Sequence, residues 1–151
     1  MNKKFIIGIP ALVRISVMCF SCQGYAVRKS RIERITGCTF PDYKIVKSNS
    51  GLMSFLGDYS DSFIAEFESI PTPDFYIQIE SDIDAKHDDN NGYKSIFWIS
   101  EINGQDTIYS FHSMWGNGLP APNGESEDAD GFLNIKIRKG DKVFKITEGR
   151  W

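Results

Sequence analysis

Apolar and polar positions divide the chain into short alternating stretches, one four-residue periodicity and an apolar beginning. Ser62 to Glu68 alternates with period two, with Phe63, Ala65 and Phe67 on one face, as a half-buried strand requires. Phe132 to Arg138 puts Leu133, Ile135 and Ile137 on one face, and Lys142 to Thr147 does the same with Phe144 and Ile146. Thr107 to Trp115 sets Tyr109, Phe111 and Trp115 against Ile108, His112 and Met114. Tyr93 to Ile102 contains Ile96, Phe97, Trp98 and Ile99, a run apolar on both faces. Tyr43 to Ser48 reads as a first strand, and Ser54 to Leu56 as a short optional one.

One stretch has helical spacing instead. Phe75, Ile79 and Ile83 recur every four residues, with Tyr76 beside them. Thr72 can cap this helix, Pro73 suits its first position, and Asp74 complements the positive end of its dipole. The predicted helix runs from about Pro73 to Asp84. Turn signals separate the strands: Asn49-Ser50-Gly51, Asn103-Gly104 and Lys139-Gly140-Asp141. Asn103-Gly104 is expected to form the centre of a type I′ hairpin, whose two central residues need positive φ.

The expected architecture is α+β, an antiparallel β-meander packed on one helix, in the order β-β-(β)-α-β-β-β-β. This layout is similar to cystatin-like and β-lactamase-inhibitor-like folds, in which an antiparallel sheet wraps a helix. The similarity concerns topology and implies no function.

The beginning has a different character. Lys3 and Lys4 precede an apolar run from Phe5 to Val13, which Arg14 interrupts and Ile15 to Phe20 resumes. Positive head, apolar middle and small-residue exit form the order of a secretory signal. A buried first element of the domain is the alternative. Cys19-Phe20-Ser21-Cys22 matches a lipoprotein cleavage site in Ser21 and Cys22, and departs from it at Cys19 and Phe20. Acylation at Cys22 is the favoured reading, and a cut after Ala26 is the alternative. In its leader and general style the chain resembles the many small uncharacterised lipoproteins of Gram-negative bacteria. That resemblance implies an envelope location, with the membrane as one partner through an N-terminal lipid. The expected division is 1–22 leader, 23–37 tether and 38–151 a single α+β domain. Within the tether, Arg28, Lys29, Arg31 and Arg34 suit either anionic headgroups or a solvated linker or short helix.

Charge narrows the partners. The leader holds three basic residues and no acid, so the chain beyond it has 14 basic against 20 acidic residues, a net of −6. Nucleic-acid binding is disfavoured. Cys38 would be the one thiol left after acylation, either buried or paired with another chain. His87 and His112, the only histidines, cannot supply a structural zinc site. The acidic stretch Glu125 to Asp130 offers Asp128 and Asp130 as weak calcium candidates, because Ser126 and Ile137 occupy positions where a calcium loop needs carboxylates. No cofactor motif and no catalytic elbow occurs. The aromatic positions Trp98, Tyr109, Phe111 and Trp115 are candidate partner-binding residues, with plain core packing as the alternative reading. The expectation is an exported envelope binding module with a possible envelope protein partner. The alternative is an envelope hydrolase using carboxylates or His112.

Overall fold

A computed structural model describes residues 27–51, 59–87, 96–116, 120–122, 125 and 130–150. The leader with Cys22, the short strand expected at 54–56, Asp128 and Trp151 lie outside the described residues. The elements are α1 (Lys29–Thr36), β1 (Tyr43–Ser50), β2 (Tyr59–Phe67), α2 (Pro73–His87), β3 (Ile96–Asn103), β4 (Asp106–Trp115), β5 (Gly131–Arg138) and β6 (Val143–Arg150). All six strands form one antiparallel sheet in the order β1-β2-β6-β5-β4-β3. The protein is therefore α+β.

The meander β3 to β6 follows the expected alternation. Leu133, Ile135, Ile137, Phe144 and Ile146 are all buried on one face with Phe63, Ala65 and Phe67 of β2. The first hairpin does not cover the other face of the meander. It extends the same sheet, because β2 pairs with β6 and brings Phe63 opposite Ile146. The sheet thus has one closed face and one open face. A register shift between Ile45 and Lys47 bulges β1 against β2.

Two helices close the buried face, where the sequence predicted one. The second helix found is α1, in the stretch expected to be a tether. Ile32 and Ile35 recur at the spacing of one helical turn and both are buried. Eight residues are too few to hold a helix in water, so packing sustains it. Fully burying an isoleucine contributes about 1.5–3 kcal/mol. Gly37 ends α1 with φ 73°, and its N–H donates to Glu33 O at 2.9 Å. The Tyr43 hydroxyl donates to Val27 O at 2.7 Å, and Phe40 N donates to Glu33 Oε1 at 2.9 Å. Of the basic residues that suggested a tether, Lys29 pairs with Asp42 at 2.6 Å on the outer side of α1, Arg34 is exposed and Arg31 is buried.

α2 buries Phe75, Tyr76 and Ile79 as its spacing requires and packs beside β3. Phe40, Phe67, Phe75 and Phe144 form an aromatic centre, with Phe67 and Phe144 stacked at 4.3 Å. The β3–β4 turn also differs from expectation. Asn103 pairs with Asp106, so the two turn residues are Gly104 and Gln105, with Gly104 at φ 68°. Among the described residues, no helix is long and apolar enough to cross a membrane.

Candidate functional site: an ion cluster and an open-face groove

The four aromatic candidates all fall on the closed face. Trp98, Tyr109, Phe111 and Trp115 are between 0% and 3% exposed. Strand parity explains this, because Trp98 pairs with Phe111, and Tyr109 and Phe111 sit beside Ile137 and Ile135. Trp98 and Phe111 rings lie 5.1 Å apart, and Tyr109 stacks on Tyr76 at 5.6 Å. None of the four is presented to solvent. Two buried polar atoms near them, Trp98 Nε1 and Ser113 Oγ, have no hydrogen-bond partner among the described residues.

Charge is concentrated at two other places. The first is buried beneath α1. Arg31 Nε and Nη2 donate to the two oxygens of Glu125 at 2.9 and 3.1 Å, and Nη1 donates to Glu148 Oε2 at 2.7 Å. The Arg31 and Glu125 side chains are each 6% exposed and that of Glu148 is 8% exposed. Arg34 adds a bond to Glu125 at 3.2 Å from a more exposed position. The fork geometry of a guanidinium suits this double engagement. Burial works against the Arg31 charge. The hydrogen bonds that Arg31 donates to Glu125 and the charges of both carboxylates outweigh burial and hold its pKa above the ordinary value. Burial pushes the Glu148 carboxyl up, further than the charge and hydrogen bond of Arg31 pull it down. The cluster joins α1, β6 and the segment between β4 and β5.

The second place is the open face. A groove of about 360 Å³ crosses β3, β4, β5 and β6. Its floor is set by ladder register. One row runs Phe97, His112, Asn134, Thr147, and the next runs Ile99, Ser110, Lys136, Lys145. Glu101 stands at the rim on β3. His112 Nδ1 lies 3.0 Å from Asn134 Oδ1. With Nδ1–H as donor, Nε2 is left as an acceptor. Phe97 tilts against the imidazole at 5.5 Å. Lys136 and Lys145 stand directly opposite each other and are exposed. Like charges in that position are unfavourable. Elsewhere on the sheet and its turns, Glu66 meets Lys44, and Asp106 and Asp141 meet Arg138.

The remaining candidates are dispersed. Asp130 is half-buried just before β5. Among the described residues, no three His, Cys, Asp or Glu side chains are grouped to hold a metal ion. Cys38 is buried. At the far end of the closed face, the Tyr109 hydroxyl donates to Glu80, which Lys139 also meets at 3.2 Å. Burial, then the Glu80 hydrogen bond, pushes the Tyr109 pKa up to about 12.

The sequence reading did not bring Arg31, Glu125 and Glu148 together, and of the groove's polar side chains it named only His112 as a candidate. A signal existed for part of both. Phe144 and Ile146 point inward, so Glu148 must share their face. A turn through Lys139-Gly140-Asp141 folds β6 back on β5 and brings Lys145 to the level of Lys136. Glu125 carried no such signal, because it lies in an irregular segment.

Comparison with known proteins finds no matching family model, no similar curated protein and no similar solved structure.

Proposed function

We propose that the chain is an exported envelope protein, anchored by a lipid on Cys22, whose folded part is a non-catalytic binding module. The observation that supports this reading is the one-sided sheet. Its closed face is filled by core side chains. Its open face carries a groove in which hydrogen-bonding and basic side chains converge, with Glu101 at one end and with Lys136 and Lys145 outside the ion pairs formed among the described residues. Small-ligand sites have this concave form, with few convergent polar groups. A hydrolase remains the second reading, because Glu125 and Glu148 converge across Arg31. Both carboxylates are committed to that guanidinium, which leaves the groove as the better-supported site.

Photo-crosslinking in cells tests the module. A photoreactive residue replaces Ser110 or Thr147 in the groove, or exposed Gln78 on α2 as control. Specific adducts are expected from the groove positions alone. Equal adducts from all three positions, or none from the groove, would remove this reading.

A further inference from the structure

We infer that the open-face groove binds a small polyhydroxylated anion of the sugar-phosphate type, with the phosphoryl group between Lys136 and Lys145. This rests on the binding-module reading and names its ligand class. Cβ atoms of directly opposed residues in an antiparallel pair lie about 4.5–5.5 Å apart. Two lysine stems from such positions can bring both ammonium groups onto one phosphoryl group. Each ammonium then gains a charge-assisted bond, and their mutual repulsion is offset by the anion. The groove volume of about 360 Å³ suits a small molecule better than a protein segment.

The neighbouring row fixes the rest of the ligand. His112, Asn134 and Thr147 lie side by side across three strands, one ladder step from the lysines. Imidazole, amide and hydroxyl groups together offer both donors and acceptors, which is what adjacent sugar hydroxyls need. Glu101 adds an acceptor at the β3 end, away from the lysine pair. A carboxylate there would repel a second anionic group, so the ligand carries its charge at one end. The domain as a whole is acidic, which makes this local reversal of sign selective rather than a general attraction for anions.

The test titrates glucose 6-phosphate, glucose and inorganic phosphate separately into the ¹⁵N-labelled full-length protein in mild detergent. Glucose 6-phosphate is expected to shift amides of residues 134–136 and 145–147, at concentrations about tenfold or more below those that inorganic phosphate requires. Lys136→Gln and Lys145→Gln, both at exposed positions, should each weaken glucose 6-phosphate about tenfold and keep the parent amide spectrum. Added salt should weaken binding in step. No shift at β5 and β6 would overturn the inference. So would equal affinity for inorganic phosphate, or an unchanged response in Lys136→Gln. If groove crosslinks persist while glucose 6-phosphate gives no shift, the ligand class falls and the binding module stands. If the groove gives neither crosslinks nor shifts, both fall.

Discussion

Arg31 shows how strongly one buried cation can be held and how much depends on it. Two carboxylates close on it from different parts of the chain, one on β6 and one between β4 and β5. Removing the cation alone would leave both carboxylates buried without a counter-charge. Arg31→Met should therefore lose about 3–5 kcal/mol of stability, read as a lowered urea midpoint. Replacing all three with apolar residues (Arg31→Met, Glu125→Leu, Glu148→Leu) should restore most of that loss, because desolvation then disappears along with attraction. Glu148 adds a pH signature. Its carboxyl titrates above the ordinary value of 4.5 in the folded state, with burial the leading cause. The native state then holds this proton more tightly than the unfolded chain does. Stability from this group is complete below pH 4.5 and is lost as pH rises through the raised value. Between neutral pH and the approach to 4.5, acidification should stabilise the parent protein relative to Glu148→Gln. Urea midpoints of both proteins at about pH 7 and about pH 5 measure the difference, and parallel changes would contradict the assignment.

At the scale of elements, alternation made the meander legible. Leu133, Ile135 and Ile137 could only share a face, and the structure buries all three. The capping signals at Thr72, Pro73 and Asp74 likewise placed the start of α2. α1 was legible only as a solvated linker or short helix, and its seat in the core was hidden for a physical reason. Its apolar residues are only Ile32 and Ile35, and its buried set includes a charged residue, Arg31, and Thr36. Hydropathy counts arginine as surface, so a helix seated through a salt bridge looks like a linker. The same limit hid the aromatic assignment. Trp98 and Trp115 lie on strands with apolar residues on both faces, and only pairing with neighbouring strands shows which face is closed. Because α1 covers the closed face, a chain beginning at Cys38 should expose Phe40 and leave Glu148 unpaired. It should bind a hydrophobic dye and unfold over a broad denaturant range. A chain beginning at Val27 should unfold cooperatively. Ile32→Ala should lower stability by about 2–5 kcal/mol, in the same assay.

The whole molecule separates two tasks. Helices and aromatic side chains occupy one side of the sheet, and the other side is open for contact. On the proposed reading, α1 follows the lipid anchor in sequence and packs on the closed side, so this helix leaves the open face uncovered. Intact mass of the N-terminal peptide from native membranes should show a chain that begins at an acylated Cys22, and Cys22→Ser should release the protein from the membrane fraction. A native protein that keeps Met1 would end the envelope assignment.

The bulge in β1 reaches further than its one residue suggests. Ile45 pairs with Ala65 toward the core, yet Lys47 pairs with Ile64, whose side chain points the opposite way. Were Val46 paired in an unbroken ladder, it would face Ile64, and Lys47 would stand over Phe63 and drive an ammonium group into hydrocarbon. With it, Lys47 emerges beside Ile64, and Ile64 in turn borders Lys145. By leaving Val46 out of the pairing, the bulge thereby extends a positively charged stripe from β5 across to the outermost strand, and gives any bound anion a second cationic shore.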